Sequence, residues 1–218
     1  DESDGSSKIA LEENLSLNTV NCPLTSFDVR STNIIVSSTD GIVSIVDVPS
    51  VSVKIRILAH NHPVYCVEFV SENTFVTCSF DGSIREFDIR DISTIASLYQ
   101  GPNPILRCSV CPSNPFLVGF FASDSENATI IDRRNTELPL CATKDCLSNI
   151  TDCHFSRSDE SVYLSNEKGK IMSADLSSGS VIVDTFVFHS DRFPIESFAV
   201  SDSHLVYSSN KHISMLKI

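Results

Sequence analysis

The strongest constraint on the fold is a string of residues that recurs along the chain. Residues 64–91 read VYCVEFVSENTFVTCSFDGSIREFDIRD, and weaker copies precede and follow them. The apolar residues that open the copies are Leu24, Val64, Ile105, Ile150 and Ile195. Their spacings of 40, 41, 45 and 45 residues predict a row of similar structural units packed side by side.

The clearest copy reads as β-strands joined by short turns. Apolar residues at 64–69 and 75–77 predict two strands, and Asp81-Gly82 predicts a tight hairpin into a third strand at 83–87, because glycine accepts a positive φ. Phe87-Asp88 stands where WD repeats carry Trp-Asp, and the first copy repeats both landmarks with Asp40-Gly41 and Val46-Asp47. The pattern predicts an all-β WD-repeat β-propeller with about five blades in this chain.

Later copies keep these landmarks in weaker form, and no copy contains Trp. The third-strand ends are Ile131-Asp132, Ala174-Asp175 and Leu216-Lys217, and the turns are Lys168-Gly169 and Asn210-Lys211. The blades are therefore expected to pack through aliphatic residues and Phe.

The repeat pattern also predicts a buried polar network. His60, Thr77 and Asp81 occupy the positions of a His–Thr–Asp network in the second copy, and Asp40 is the matching turn residue of the first. Phe87 replaces the Trp that would complete the network. These four polar residues are interpreted as structural rather than catalytic, since buried polar groups are usually hydrogen-bonded.

The N-terminal residues differ from the repeats. Residues 1–7 are acidic and Ser-rich, which predicts a disordered tail or linker. Residues 8–21 are interpreted as the outer strand of a preceding blade, with the strand itself at Lys8 to Leu17. Residues 8–218 as a whole are expected to form propeller blades.

Composition favours a protein-binding function. The net charge of -12 argues against nucleic acid as a partner. No run of about 18 apolar residues is present, so no membrane span is expected. Nucleotide-binding loops, zinc-protease motifs and serine-hydrolase motifs are absent, which predicts no enzyme activity, no cofactor and no small-molecule substrate.

The eight cysteines raise the possibility of a zinc site. The candidate ligands are Cys108, Cys111, Cys141, Cys146, Cys153 and His154. Cys108 and Cys153 fall at the strand position that Val67 and Phe198 hold in neighbouring copies, so they are interpreted as small core residues. The prediction is therefore no metal site, no disulfides and a reducing compartment.

Four segments resemble a narrower family. CPLTSFD (Cys22 to Asp28), LAHNHPVYCVEF (Leu58 to Phe69), FDGSIREFDIRD (Phe80 to Asp91) and the terminal ISMLKI are similar to the last part of the transparent testa glabra family. The resemblance runs from about Lys8 to Ile218 and is closest through residue 91. It implies part of a seven-bladed ring, so the chain is expected to be a fragment of a longer chain, and the alternative is that its five repeats close a ring alone.

The resemblance also implies a function. Family members are non-catalytic scaffolds of the cytosol or nucleus that bind DYRK-type kinases or transcription factors, and some are receptors of cullin-RING ubiquitin ligases. The alternative is a structural propeller subunit of a coat or nuclear-pore assembly.

Two sets of residues are candidates for protein binding. Tyr65, Phe80 and Arg107 are expected at one rim of the propeller and are residue types that dominate interface hot spots. The Asp-x-Arg boxes Asp88–Arg90 and Asp132–Arg134 match those of ligase receptors, and their Arg side chains are candidates for contacting a ligase adaptor. A structural ion pair at the end of each blade is the other interpretation.

Overall fold

The computed structural model describes residues 22–143, 146, 148–157, 161–176, 182–188, 193–201, 203–209 and 212–217. The predicted tail at 1–7, the predicted strand within 8–21 and the predicted turn at Asn210-Lys211 lie outside the described residues.

The described residues form five antiparallel sheets that follow one another along the chain. Neighbouring strands in each sheet are consecutive in sequence, and four of the sheets have four strands. The first sheet contains β1 Leu24–Arg30, β2 Asn33–Ser38, β3 Ile42–Asp47 and β4 Ser52–Leu58. The second contains β5 Val64–Phe69, β6 Thr74–Ser79, β7 Ser83–Asp88 and β8 Asp91–Gln100. The third contains β9 Ile105–Val110, β10 Leu117–Ala122, β11 Thr129–Asp132 and β12 Cys141–Ala142.

The last two sheets follow the same order. The fourth contains β13 Ile150–Phe155, β14 Ser161–Asn166, β15 Lys170–Asp175 and β16 Ile182–Phe188. The fifth has three described strands, β17 Ser197–Val200, β18 His204–Ser209 and β19 His212–Lys217. The described residues contain no helix, and hence none that could cross a membrane. The predicted fold class is confirmed, because each sheet has the form of a WD-repeat propeller blade.

Glycine fixes the turn between the second and third strands of three sheets. Gly41, Gly82 and Gly169 have φ angles of +84°, +77° and +73°. A Cβ atom at Gly82 would lie 2.4 Å from the carbonyl oxygen of Gly101, and one at Gly41 would lie 2.1 Å from the carbonyl oxygen of His60. The close approach of these carbonyls therefore requires glycine, in addition to the positive φ.

The cores lie between consecutive sheets. Ile35 and Ile45 of the first sheet pack with Val67, Phe75 and Phe87 of the second. Separate clusters join the second sheet to the third, the third to the fourth and the fourth to the fifth. The second, third and fourth sheets therefore bury both faces, which is why their first strands show near-continuous burial instead of strict alternation.

The first strands of neighbouring sheets are joined by side chains rather than by a backbone ladder. Asp28 Oδ2 accepts a hydrogen bond from Phe69 N at 2.8 Å, and Glu68 Oε2 accepts one from Val110 N at 3.2 Å. At the next junction, Ser109 Oγ accepts from Phe155 N at 3.4 Å. An equivalent position in three successive sheets thus satisfies an edge N–H that would otherwise be unpaired.

The outer faces of the first and fifth sheets expose large apolar side chains. Phe27 is 70% exposed, although the equivalent Val67, Cys108 and Cys153 are buried against the preceding sheet. Ile213 of the fifth sheet is 79% exposed. In a closed ring, neighbouring blades would cover the outer face of the first sheet and the outer face of the fifth.

Candidate protein-interaction site

The sheets present two rims with different contents. The upper rim holds the turns between second and third strands and the segments that lead into first strands. The lower rim holds the turns between first and second strands and between third and fourth strands. The sequence-predicted binding residues are divided between these rims.

Three aromatic side chains lie together on the upper rim of the second sheet. Phe80 is 48% exposed. Its ring stacks on His62 with centroids 6.2 Å apart and meets Tyr65 edge-on at 6.2 Å. Tyr65 is half-buried and packs against the core between the second and third sheets. We call His62, Tyr65 and Phe80 the rim aromatic cluster.

The backbone beneath the cluster is held firmly. Phe80 N donates to the carbonyl oxygen of Pro63 at 2.9 Å, and the Ser79 hydroxyl donates to the same oxygen at 2.9 Å. Thr39 N donates to Pro23 O and Ser123 N to Pro104 O in the same way. A proline one residue before the first strand of these three sheets is therefore a repeat landmark that sequence reasoning missed. Pro194 holds the same place before the repeat anchor Ile195.

A polar network supports the turn next to Phe80. The buried His60 ring contacts Asp81 Oδ2 through Nδ1 at 2.9 Å and Thr77 Oγ1 through Nε2 at 2.7 Å. Ser83 Oγ donates to Asp81 Oδ1 at 2.6 Å. His60 thereby connects the segment between the first two sheets to the Asp81-Gly82 turn. Phe87, which stands in place of the expected Trp, lies outside these contacts.

The network holds Asp81 ionised and His60 neutral. Burial acts to raise the pKa of Asp81, but hydrogen bonds from Ser83 and His60 outweigh it and bring this pKa to about 2. Burial lowers the pKa of His60, against the opposing effect of Asp81. With Asp81 as the acceptor for the Nδ1 proton, Nε2 is left to accept from the Thr77 hydroxyl.

Asp40 occupies the matching turn of the first sheet and has a simpler environment. Its Oδ1 accepts from Ser38 Oγ at 2.5 Å and from Ile42 N at 3.2 Å. Burial acts to raise the pKa of Asp40, and the hydrogen bond from Ser38 helps to lower it overall. The carboxylate therefore fixes its own hairpin.

Arg107 points to a different set of residues from Tyr65 and Phe80. Its Nε lies 3.3 Å from Asp152 Oδ1, and its Nη2 lies 3.1 Å from His154 Nε2. Burial acts to lower the pKa of Arg107, but the neighbouring acidic groups Cys66 and Asp152 raise it overall. Its side chain is 34% exposed. A bulge explains its direction, since Leu106 is the extra residue in β9 and Arg107 pairs with Phe121.

The two Asp-x-Arg boxes lie on the lower rim, opposite Phe80. Arg90 pairs with Asp88 through Nε at 2.9 Å and Nη2 at 2.5 Å, and Arg134 pairs with Asp132 at the same distances. These hydrogen bonds hold the pKa values of Asp88 and Asp132 at about 2. Arg134 also lies over the Phe116 ring, 4.3 Å from its centroid. Each Arg fork is therefore engaged within its own blade end, although both side chains are more than half exposed.

The cysteines form a cluster that the sequence did not predict. The Sγ atoms of Cys66, Cys78 and Cys108 lie within 4.8 Å of one another, and all three residues are buried. This set shares only Cys108 with the zinc candidates chosen from the sequence. The sequence did carry a signal for this cluster. Cys66 is the third residue of one first strand, and Cys108 is the fourth residue of the next first strand. All eight cysteines are free thiols.

We expect the purified protein to contain no stoichiometric zinc. A structural zinc ion takes four ligands, and this is the single group of three or more suitable side chains in the described part of the chain. Burial raises the pKa of Cys78, and the hydrogen bond between Cys66 and Cys108 raises the pKa of Cys108 while it lowers that of Cys66, so two of the three thiols resist the ionisation that a metal needs. Elemental analysis checks this expectation. One zinc per chain that is lost in Cys108→Ser and kept in Cys141→Ser would contradict it.

Comparison with known proteins agrees with the fold. No protein-family model matches the chain. The chain is 30% identical over 168 residues to the WD repeat-containing protein YPL247C of Saccharomyces cerevisiae, covering 66% of the chain and 32% of that protein. It is 33% identical over 137 residues to the uncharacterized WD repeat-containing protein C17D11.08 of Schizosaccharomyces pombe, covering 52% and 32%.

A third relative has a more specific name. The chain is 28% identical over 123 residues to the DDB1- and CUL4-associated factor 7 homolog of Dictyostelium discoideum, covering 54% of the chain and 38% of that protein. The chain thus spans between 32% and 38% of the length of these relatives. The narrower resemblance to the transparent testa glabra family stays a prediction. The chain has the fold of WD-repeat propeller blades, and the relatives that it matches are WD repeat-containing proteins.

Proposed function

We propose that this chain belongs to a non-catalytic scaffold of the cytosol or nucleus that binds other proteins through its upper rim. The rim aromatic cluster carries the proposal. Phe80 exposes nearly half of its surface, directly after a strand and beside a hydrogen-bonded turn. An aromatic side chain held on a rigid backbone loses little conformational entropy on binding, which suits it to anchor an interface.

The expected partners are kinases, transcription factors or a ligase adaptor. The similarity to WD repeat-containing proteins supports a scaffold of this kind. The name of the Dictyostelium relative refers to association with DDB1 and CUL4, which supports the ligase adaptor as one partner. Nucleic acid, membranes and small-molecule substrates are not expected partners.

The effect of Phe80→Ala on partner binding tests the proposal. Proteins that copurify with the full-length wild-type protein would be identified, and their affinity for purified wild type and variant measured. We expect Phe80→Ala to weaken binding at least about tenfold and to leave the melting temperature nearly unchanged. The loss follows from removal of an exposed anchor that contributes little to the core.

Ile95→Ala is the matched control, because Ile95 is 47% exposed and lies in the middle of the outer strand β8, away from both rims. Equal loss of binding in both variants, or unfolding by Phe80→Ala, would overturn the assignment of the cluster. Recovery of stoichiometric coat or nuclear-pore subunits would favour the structural alternative. Measurable turnover of a substrate by the purified protein would contradict the non-catalytic function.

The lower rim offers a second surface for the ligase adaptor. Arg90 and Arg134 expose 68% and 60% of their side chains. An Arg that is already oriented by a carboxylate can still donate remaining N–H groups to a carbonyl or carboxylate of a partner. In this proposal an adaptor binds the lower rim and the upper rim is left for a recruited protein; the name of the Dictyostelium relative supports only the adaptor as a partner.

A further inference from the structure

A groove on the upper rim runs across three consecutive sheets. It has a volume of 420 Å³ and is bordered by Leu106 of the third sheet, Thr151 of the fourth and Pro194 before the fifth. Leu106 holds the position that Tyr65 holds in the second sheet, directly after the first residue of the first strand. The groove therefore lies on the same rim as the aromatic cluster. We call it the seam groove.

The seam groove has an apolar floor and an acidic border. Ile150 and Ile195 lie at its floor and are almost fully buried, while Leu106 and Pro194 are exposed at its sides. Its carboxylates are those of Asp124, Glu167 and Glu196, all three on exposed residues. None of the described lining residues is Lys or Arg, and the ion pairs found among the described residues do not involve these carboxylates.

Backbone hydrogen bonds between consecutive sheets hold the walls of the groove in place. Ile150 N donates to Ser125 O at 2.9 Å, which joins the third sheet to the fourth. Ile195 N donates to Asn166 O at 3.5 Å and joins the fourth sheet to the fifth, while Glu167 N donates to Asn149 O at 3.1 Å. A groove that is already formed requires little rearrangement when a partner binds.

We infer that the seam groove docks a short segment of a partner protein that carries an aliphatic side chain beside Lys or Arg. The aliphatic side chain would cover Leu106 and the isoleucine floor, and the basic groups would face Glu167, Glu196 and Asp124. The unpaired carboxylates and the net charge of -12 both favour a basic segment over an acidic one. This inference rests on the proposed scaffold function and gives the chemistry of one segment that such a scaffold would recruit.

Selection from a library of random 12-residue peptides displayed on phage tests the inference. The folded wild-type protein is the target, and enriched peptides are synthesised for affinity measurement. We expect enrichment of sequences that place Leu, Ile or Val within two positions of Lys or Arg. Their affinity should fall as salt concentration rises, because exposed charges are screened.

Two variants and one control locate the binding site. Glu167→Gln/Glu196→Gln removes two carboxylates while keeping side-chain size, and should weaken the selected peptides at least about tenfold. Leu106→Ala should weaken them without changing the melting temperature. Glu72→Gln/Glu137→Gln removes the same charge from exposed residues of the lower rim and should leave affinity unchanged.

The inference would be overturned by the absence of any enriched peptide, by enrichment of acidic sequences, or by equal weakening by the two double variants. Peptides that lose affinity with Phe80→Ala but keep it with Glu167→Gln/Glu196→Gln would reject the seam groove and leave the proposed function standing. If both sets of variants kept their binding to natural partners, the proposed function would instead be rejected.

Discussion

Replacing Phe87 by alanine should lower the free energy of unfolding by about 3–5 kcal/mol, since this is the usual effect of removing a buried Phe ring. Phe87 is 1% exposed and stacks on Phe75 with ring centroids 5.3 Å apart and planes inclined by 14°. The ring lies in the core between the first and second sheets, with Ile35 and Val43 of the first sheet among its cluster. Two hydrogen-bonded sheets enclose the vacated volume, so it cannot collapse freely.

Urea denaturation of the wild type and Phe87→Ala measures this loss. An unchanged dependence of unfolding free energy on urea would show that the variant unfolds from a similarly compact state. Phe116→Ala is the control, because its exposed ring should contribute no more than about 0.5 kcal/mol. A loss below about 1 kcal/mol for Phe87→Ala would contradict its place between the sheets.

The fold was predictable because its signals are local and repeated. Asp40-Gly41 and Asp81-Gly82 determine two hairpins within a few residues, and the φ of +77° at Gly82 is a requirement of its own turn. Strand order then follows, since consecutive strands pair in every sheet. The start of the fifth sheet was less predictable. Its first strand begins at Ser197, two residues after the repeat anchor Ile195, which bonds to Asn166 instead.

The candidate site was only partly predictable because its residues meet across blades. Phe80 was identified from its own turn, and its exposure could be argued from the hairpin that follows it. The direction of the Arg107 side chain depends on a bulge at Leu106 and on Asp152, which lies in another sheet. The thiol cluster likewise requires the relative register of β5, β6 and β9, which a repeat period alone does not give.

The seam groove was even harder to predict from the sequence, because its residues also meet across blades. Leu106, Glu167 and Glu196 belong to three sheets, and nothing in the local sequence around any of them indicates a shared surface. Asp124, in addition, adopts a φ of +56°, a conformation that Asp tolerates better than most residues. Such sites emerge only when the blades are placed side by side.

Replacing His60 by alanine should lower the free energy of unfolding by about 3 kcal/mol at neutral pH, because two buried or half-buried partners lose their hydrogen bonds. The ring of His60 is almost fully buried and contacts both Asp81 and Thr77. Thr77 is also fully buried, so its hydroxyl would lose the acceptor at Nε2. His62→Ala is the matched control, since His62 is exposed and lies two residues away.

His60 should also make the wild-type protein less stable in mild acid. Burial lowers the pKa of His60 below its usual 6.5, so the unfolded chain takes up a proton that the folded chain does not. Stability should therefore fall as pH drops below about 6.5, by up to about 1.4 kcal/mol per pH unit. The ionisation of Asp81 does not contribute to the pH dependence of stability in this mildly acidic range. Its folded pKa of about 2 confines its contribution to acid unfolding to pH values between about 4 and 2.

Unfolding free energies measured from about pH 7 to pH 5 should fall less steeply in His60→Ala than in the wild type. If His60→Ala kept the full wild-type slope, acid sensitivity would arise elsewhere in the protein. The network around Asp81 would then not hold a neutral His60.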